Sequence, residues 1–341
     1  MKMFVFSMRT FDELPCFEKY CPMYGVEYAW TSETPCLENL KMAEGYDVIN
    51  IITTVFDRAM IDKLHEMGIR CIATRTIGYD HIDYNYARSL GMGVINITYS
   101  PDTVADFTIM MMLMGLRKYK YMMQRAAVQD FSLEGKLGKE ISKCTVGVIG
   151  TGRIGQTVIR DLLGFGCKII AYDIHESDVV REFAEYVDLD TLYHESDIIT
   201  LHVPATDENY HMINAAALAK MKSDVILINC ARGSLVDEYA LIEAVQAGRI
   251  GFAGLDVIEN ESGLYYFNRM GEPLGNLRLA ILNSYPNVLI TPHMAFYTDE
   301  AIANMAENSI IGIKKFMEEL SDSGAPADKT PDQSTGECEQ S

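Results

Sequence analysis

Three glycines with the spacing Gly-x-Gly-x-x-Gly follow an apolar run near the middle of the chain, at Gly150, Gly152 and Gly155. In a strand-to-helix turn, the first glycine allows the tight bend, the second lets a pyrophosphate approach the backbone, and the third lets the helix pack closely. The N–H groups of a helix that begins near Arg153 would then face the phosphates. Asp173 lies eighteen residues after the last glycine, where an acid hydrogen-bonds the ribose hydroxyls of a dinucleotide. The spacing therefore predicts dinucleotide binding.

The residues after the glycine motif predict the helix and the strand that must position it. Ile154, Val158 and Leu162 recur at the spacing of a helix that packs on a sheet. Residues 168–172 then have the composition of a second buried strand, which ends at Asp173. The order of strand, glycine turn, helix, strand and acid favours cofactor binding over a glycine turn that serves only packing.

Residue types suited to chemistry follow later apolar runs. Arg232, Asp256 and His293 each come shortly after a strand-like run, and Glu261 lies in the loop after Asp256. Ligands of open α/β sheets bind beyond the carboxyl ends of the strands, so these side chains are expected in the crevice of the dinucleotide. Each side chain alone has a plainer interpretation. Arg232 could form a surface ion pair and Asp256 could cap a helix. His293 could be an ordinary loop histidine, and Glu261 could be a solvated acid. Their shared placement favours an active site.

The composition is that of a globular chain with a strong negative charge. Of its 341 residues, 48% are hydrophobic and 23% are charged, and the formal net charge is −19. This charge argues against nucleic acid or an anionic membrane as a partner. The eight cysteines include no Cys-x-x-Cys pair and no cluster with histidine, so we expect no metal site and a cytoplasmic protein. The length favours two domains.

Apolar strand-like runs alternate with helical stretches along most of the chain, which predicts an α/β fold with mostly parallel sheets. Residues 103–129 are expected to form one long, Met-rich, buried helix, and residues 299–320 to form the last helix. Residues 321–341 carry almost no apolar side chain, so we expect a disordered tail.

Several runs of the sequence resemble the D-isomer-specific 2-hydroxyacid dehydrogenases. They are the glycine motif and residues 201–204, 229–237, 254–257 and 291–293. Further runs are most similar to the D-lactate dehydrogenase branch of that family, at residues 76–80, 99–102, 256–261 and 293–297. The resemblance covers about residues 70–320; the N-terminal 60 residues match only in pattern, and the tail does not match.

This resemblance implies a reaction and three catalytic residues. The reaction is the NADH-dependent reduction of a 2-oxo acid to the D-2-hydroxy acid, with pyruvate as the leading substrate. Arg232 would hold the substrate carboxylate and the 2-oxo oxygen, which suits a guanidinium fork. His293 would give a proton to that oxygen as hydride arrives from the nicotinamide. Glu261 would hydrogen-bond His293 and favour its charged form.

The resemblance also implies the residues that bind each ligand. The cofactor NAD would be bound by the glycine motif and by residues at the strand ends, namely Gly150, Gly152, Arg153, Ile154, Gly155, Asp173, Val203, Pro204, Asn209, Cys230, Ala231, Arg232 and Asp256. The substrate would be bound by backbone N–H groups, the guanidinium and aromatic walls, at Ile77, Gly78, Tyr99, Arg232, Phe296 and Tyr297.

The fold implied by the resemblance consists of two doubly wound parallel-sheet domains. A Rossmann NAD-binding domain at residues 101–297 would be inserted into a flavodoxin-like substrate-binding domain at residues 1–100 and 298–330. A homodimer formed through the helix after Ser100 is also implied.

Two alternatives stay open. Tyr99 and Phe296 suit equally a pocket for branched or aromatic 2-oxo acids, as in a D-2-hydroxyisocaproate or phenyllactate-type dehydrogenase. A different class is a dinucleotide-sensing, corepressor-like binding protein, which would need the glycine motif without an intact catalytic set. The presence of Arg232, Glu261 and His293 favours an enzyme.

Overall fold

The computed structural model describes residues 1–323, with side chains described up to Ser321. The chain divides into two compact units: the first combines Met1–Ser100 with the segment from Tyr297 onward, and the second is Pro101–Phe296. Of the tail expected at 321–341, residues 321–323 continue the last helix and the rest lies outside the described residues. Within residues 1–323, no helix combines the length and apolar character needed to cross a membrane.

The first unit is a five-stranded parallel sheet with helices. Its strands are β1 (Lys2–Val5), β2 (Glu27–Trp30), β3 (Val48–Ile51), β4 (Cys71–Thr74) and β5 (Gly93–Ile95). Its helices are α1 (Leu14–Tyr24), α2 (Arg58–Glu66), α3 (Tyr84–Ser89) and the last helix of the chain, α12 (Asp299–Ser323). The strand order β2-β1-β3-β4-β5, with every pair parallel, is the flavodoxin-like doubly wound order.

Alternate residues of β1, and Phe6 directly after it, belong to two different hydrophobic cores. Met3 and Val5 pack in a core with residues of α1 and α12, whereas Phe4 and Phe6 pack in a core with residues of α2. Helices therefore cover both faces of this sheet. This is why its central strands are continuous apolar runs rather than alternating ones.

The second unit is a seven-stranded parallel sheet. Its strands are β6 (Thr145–Ile149), β7 (Lys168–Tyr172), β8 (Glu185–Tyr186), β9 (Ile198–Leu201), β10 (Ile226–Asn229), β11 (Phe252–Leu255) and β12 (Val288–Ile290). Its helices are α4 (Asp102–Leu116), α5 (Tyr119–Ala127), α6 (Arg153–Leu162), α7 (Asp178–Arg181), α8 (Leu189–Glu195), α9 (Ala215–Lys220), α10 (Glu238–Gln246) and α11 (Leu277–Ser284).

The strand order of the second sheet is β8-β7-β6-β9-β10-β11-β12. This is the Rossmann order with one further parallel strand at the edge. The order reverses beside β6, at the point where dinucleotides bind in such sheets. The predicted fold class, with two doubly wound parallel sheets of which the second is a Rossmann sheet, is confirmed.

The single helix expected at residues 103–129 is wrong, because the chain forms α4 and α5 with a break between them. Lys118 adopts a left-handed backbone with φ 51°, which interrupts the helical hydrogen bonds. The turn brings the Lys120 ammonium to the backbone carbonyl oxygens of Asn283 and Val288, at 2.8 and 2.6 Å. Burial is confined to α4, since α5 has no buried residue.

A buried ion pair joins the strand ends of the first sheet. Arg75 follows β4 and Glu13 precedes α1; their side chains are 0% and 1% exposed, and Nε lies 2.9 Å from Oε1. The same guanidinium donates to the side-chain oxygen of Asn50 at 3.0 Å. It also donates to the backbone carbonyl oxygens of Phe6 and Ser7, at 3.2 and 3.3 Å. Arg75 therefore links the ends of β1, β3 and β4 to the start of α1.

We predict that Arg75→Met lowers the stability of the first unit by about 3 kcal/mol, because Glu13 loses its main partner in a buried site. Urea unfolding followed by tryptophan fluorescence measures this unit, since Trp30 in β2 is the only tryptophan of the chain. Lys2→Met is the control, because Lys2 forms an exposed pair with Glu27 and its loss should leave the urea midpoint nearly unchanged. Equal midpoints for the two variants would contradict the role of the buried pair.

Candidate active site

The glycine motif forms the turn from β6 to α6. Gly150 has φ +93°, and a Cβ there would lie 2.6 Å from the backbone carbonyl of His202. A Cβ at Gly155 would lie 2.0 Å from the carbonyl oxygen of Gly150. Gly152 is the N-cap of α6, which begins at Arg153. A side chain at Gly150 or Gly155 would therefore clash with the backbone, and α6 begins directly after the glycine turn, where its N-terminus would face a pyrophosphate.

Asp173 follows β7 and is held from two sides. One of its carboxylate oxygens accepts the backbone N–H of Thr151 at 2.6 Å, and the other accepts the backbone N–H of His175 at 2.9 Å. The carboxylate therefore lies beside the glycine turn and is half-buried. Two residues of the turn that were predicted to bind the cofactor are accessible: Arg153 is exposed and Ile154 is half-buried.

The loop after β9 carries three of the predicted cofactor residues. Val203 is half-buried and Pro204 is exposed. The side-chain amide of Asn209 donates to the carbonyl oxygen of Pro204 at 2.7 Å, and its side-chain oxygen accepts the backbone N–H of Thr206 at 2.8 Å. Asn209 thus closes this loop across the carboxyl end of β9, next to the glycine turn.

The turn after β10 is fixed by its own side chains. The Asn229 side chain accepts the backbone N–H of Ala231 at 3.0 Å and donates to the carbonyl oxygen of Arg232 at 2.8 Å.

The Cys230 sulfur lies 3.6 Å from the sulfur of Met111, and burial raises the pKa of this thiol. No group of three histidine, cysteine or acidic residues is arranged to hold a metal ion within residues 1–323.

Arg232 lies at the carboxyl end of β10, half-buried. Its guanidinium Nη1 donates to the carbonyl oxygen of Ala231 at 2.8 Å. A Cβ on the next residue, Gly233, would lie 2.1 Å from the backbone of Ile258. The absence of a side chain at Gly233 therefore lets the loop that follows β11, which carries Glu261, pass directly against this turn.

Asp256, the residue after β11, is 0% exposed. One of its oxygens accepts the hydroxyl of Thr291 at 2.5 Å and the backbone N–H of Met294 at 2.8 Å, and the other accepts the backbone N–H of Ala295 at 2.9 Å. Burial raises the pKa of Asp256, and these hydrogen bonds oppose that rise. The carboxylate is engaged by the loop after β12, and its contact with the cofactor stays a prediction.

His293 and Glu261 form a hydrogen-bonded pair. His293 Nδ1 lies 2.6 Å from Glu261 Oε1, and the two side chains are 22% and 27% exposed. The backbone N–H of Ile258 donates to Glu261 Oε2 at 3.3 Å. His293 has φ 53°, and its N–H donates to the carbonyl oxygen of Asp256 at 2.8 Å. Because Glu261 engages Nδ1, Nε2 is the ring atom suited to exchange a proton with a ligand.

A second cluster of charged residues anchors the loop of Glu261. Glu259, two residues earlier, accepts Arg278 Nη1 at 2.7 Å and lies 2.8 Å from His211 Nε2. Its backbone N–H donates to Glu238 Oε1 at 2.8 Å, and Arg278 Nε lies 3.0 Å from Glu238 Oε2. Burial raises the pKa of Glu238. Sequence reasoning gave these residues no role, because their pairing depends on contacts between distant elements.

Two aromatic rings, those of Tyr266 and Phe296, lie beside the imidazole of His293. The ring centroids of Tyr266 and His293 are 6.1 Å apart, and the Phe296 ring lies 6.1 Å from Tyr266 and 6.3 Å from His293. Phe296 was among the predicted substrate residues, whereas Tyr266 was missed. The only sequence signal for Tyr266 is the aromatic run 265–267 that follows Glu261.

The remaining predicted substrate residues belong to the first unit. Asn96 donates from its side chain to the carbonyl oxygen of Ile77 at 2.7 Å, and the Thr76 hydroxyl donates to the carbonyl oxygen of Gly78 at 2.6 Å. The bond to the Ile77 carbonyl fixes the peptide plane that contains the Gly78 N–H. The plane that contains the Ile77 N–H is held by its Thr76 carbonyl oxygen, which accepts the backbone N–H of Ile97 at 3.1 Å. Tyr99 is half-buried. The predicted set is therefore divided: Arg232, Glu261, His293 and Phe296 lie in the second unit.

The Tyr297 side chain is also held within the first unit. Its hydroxyl donates to a carboxylate oxygen of Asp12 at 2.7 Å, and the guanidinium carbon of Arg9 lies 5.8 Å from the centre of its ring. Arg9 in turn pairs with Asp12, at 3.0 Å. The orientation of this predicted substrate residue is thus set by a small polar cluster.

Comparisons with known proteins match nearly the whole chain. A sequence model described as D-isomer specific 2-hydroxyacid dehydrogenase, NAD binding domain, matches residues 109–295. An aromatic 2-oxoacid reductase of Clostridium sporogenes is 43% identical over 321 residues, which are 93% of this chain and 96% of that protein. A D-lactate dehydrogenase of Lactiplantibacillus plantarum is 36% identical over 322 residues, 93% and 97% of the two chains. A solved structure of D-2-hydroxyisocaproate dehydrogenase has a TM-score of 0.84 at 33% identity, covering 94% of this chain and 97% of that one.

Proposed function

This chain belongs to the D-isomer-specific 2-hydroxyacid dehydrogenases, whose cofactor is NAD, and from this premise we propose that it reduces 2-oxo acids to D-2-hydroxy acids with NADH. Bound NADH supplies the hydride that adds to the carbonyl carbon. The carbonyl oxygen then needs a proton, and the carboxylate needs a cation. Residues of the second unit offer both.

The observation that carries the proposal is the hydrogen bond between His293 and Glu261, at 2.6 Å. We assign His293 Nε2 as the proton donor to the carbonyl oxygen, since Nδ1 is engaged. The Glu261 carboxylate stabilises the imidazolium that must be present before proton transfer. In the reverse direction, the neutral ring accepts the proton from the hydroxyl group.

Arg232 is the cation that we assign to the substrate carboxylate. A guanidinium presents two parallel N–H donors, which match the two oxygens of a carboxylate and also polarise the adjacent carbonyl. Its position at the end of β10, one strand from Asp256 and two from His293, supports this assignment. The backbone N–H groups of Ile77 and Gly78 are proposed as further ligands of the carboxylate.

For the substrate side chain, we propose that aromatic 2-oxo acids are preferred and that pyruvate is the second candidate. This order reverses the one that the family resemblance implies, in which pyruvate leads and branched and aromatic acids are the alternatives. The relative whose name states an aromatic 2-oxoacid activity is 43% identical, against 36% for the D-lactate dehydrogenase. Phe296, beside His293, supplies an apolar ring that suits a large side chain.

The homodimer implied by the sequence is also a proposal, and exposed apolar side chains after α4 support it. The most exposed of them follow α5, where Phe131, Leu133 and Leu137 are 78%, 89% and 86% exposed. On α5 itself, Met122 and Met123 are 38% and 49% exposed. So large an apolar segment on a surface usually marks an interface. We propose that a second copy of this chain covers it.

We predict that kcat/KM, measured by NADH oxidation, is highest with phenylpyruvate, intermediate with 2-oxoisocaproate and lowest with pyruvate.

We also predict that Arg232→Lys lowers kcat/KM for all three substrates by about 100-fold or more, because the charge remains but the two-pronged hydrogen bonding is lost.

The control for this experiment is Arg249→Lys, an exposed arginine before the amino end of β11, which should keep the wild-type rate. Wild-type rates in Arg232→Lys would contradict the assignment. NADH binding without turnover of any 2-oxo acid would instead support the dinucleotide-sensing alternative.

We predict that Glu261→Gln lowers the reductive kcat/KM by about tenfold or more, because acid–base catalysis by a positioned group contributes about 100-fold or more and the variant loses the carboxylate that holds His293 Nδ1. NADH binding should stay at the wild-type level, because Glu261 is assigned no contact with the cofactor. Glu272→Gln, an exposed acid of the same loop paired with Arg269, is the control. A wild-type kcat/KM in Glu261→Gln would show that Glu261 does not act through His293.

We predict that Leu133→Asp combined with Leu137→Asp converts the dimer to a monomer, since two charges in an apolar interface would be left unpaired. Light scattering coupled to size-exclusion chromatography measures the mass directly. Val179→Asp, on the exposed face of α7, should leave the mass unchanged. A wild-type protein that elutes as a monomer at micromolar concentration would contradict the dimer.

A further inference from the structure

Tyr266 adopts a backbone conformation that is unusual for a bulky residue. It lies between β11 and α11, five residues after Glu261, with φ 70°. A left-handed backbone is uncommon outside glycine, asparagine and aspartate, and it persists where surrounding contacts determine it. The reason for such a conformation at Tyr266 is therefore to be found in what its side chain contacts.

Those contacts are with the loop of the proton donor. The Tyr266 hydroxyl donates to the backbone carbonyl oxygen of His293 at 3.1 Å. Its ring is inclined by 40° to the imidazole, with the centroids 6.1 Å apart. His293 also has a left-handed backbone, with φ 53°. Two strained residues 27 positions apart thus turn their rings toward each other.

Phe296 completes a group of three rings. It meets Tyr266 edge-on at 87° and His293 edge-on at 84°. Aromatic rings at these distances and angles attract one another beyond their burial. Nevertheless, Tyr266 is 45% exposed, so the residue is not enclosed by the two rings that it contacts.

We propose that Tyr266 is a specificity-determining residue, whose ring packs against the aromatic side chain of the 2-oxo acid while His293 protonates its carbonyl oxygen. This inference rests on the proposed function and names a residue that selects its substrate class. The methyl group of pyruvate is too small to gain much from such a ring. A phenyl or indole ring offers a face or an edge and gains both burial and the preferred geometry.

The hydroxyl and the ring of Tyr266 make separable contributions. If Tyr266 acted only by holding the His293 carbonyl oxygen, its removal would slow every substrate equally. If its ring contacts the substrate, removal affects aromatic substrates selectively and acts mainly on KM. Tyr266→Phe keeps the ring without the hydroxyl, and Tyr266→Ala removes both.

The experiment compares kcat/KM for phenylpyruvate and pyruvate in these two variants, with NADH binding measured by fluorescence to verify an intact second unit. Tyr266→Ala should lower the phenylpyruvate value by about five- to tenfold, mainly through KM, and change the pyruvate value by less than about twofold. Tyr266→Phe should keep the wild-type ratio of the two substrates.

Phe267→Ala is the matched control. This neighbouring ring is also exposed, and it lies 5.3 Å from the guanidinium carbon of Arg269. Its loss should leave both kinetic values unchanged. If Tyr266→Ala loses NADH binding, Tyr266→Leu, which keeps bulk without a ring, carries the same comparison. An equal loss for both substrates, or an unchanged ratio, would overturn the inference. A wild-type protein that reduces neither acid would instead overturn the proposed function.

Discussion

The buried carboxylate of Asp256 is the interaction on which the candidate active site depends. A carboxylate that is 0% exposed is unfavourable unless its oxygens accept hydrogen bonds. Thr291, Met294 and Ala295 supply the donors, and they lie on both sides of His293 in the chain. Satisfying one buried acid therefore fixes the backbone around the proposed proton donor.

The left-handed backbone of His293 follows from this constraint. Such conformations each cost about 1–3 kcal/mol and occur where the surroundings over-determine them. Asn260 and Tyr266, in the loop that faces His293, share the left-handed conformation, with φ 58° and 70°. That loop is held by the pairing of Glu259 with Arg278. Buried and half-buried charges thus hold the two loops in which His293 and Tyr266 adopt this uncommon conformation.

Much of the fold follows from local sequence. Apolar runs and glycine spacing are local properties, and they identify every strand except the two-residue β8, together with the β6–α6 turn and the position of Asp173 beside it. The break at Lys118 is not local, since it accompanies the contacts of Lys120 with carbonyl groups far along the chain. The position of Tyr266 is not local either. It depends on the path of a loop without periodic pattern.

The partners of Asp256 also cannot be predicted from local sequence. Its place after a strand, in a chain with a dinucleotide motif, predicts either that it binds a ligand or that it caps a helix. The residues that donate hydrogen bonds to its oxygens are 35 to 39 positions away, and no local spacing in the sequence predicts them. A strand-end residue can therefore be located from sequence while its partners cannot.

Both sheets use a buried charge at the carboxyl ends of their strands, with opposite signs. Arg75 donates to carbonyl oxygens in the first unit, and Asp256 accepts N–H groups in the second. Replacement of a whole buried ion pair such as Arg75–Glu13 by apolar side chains of similar volume is often no less stable, so the contribution of such a pair lies in geometry as much as in stability. The residues that we assign to the substrate, Arg232 and His293, are only half-buried. Buried charges therefore fix the loops, and the accessible ones are left for the reaction.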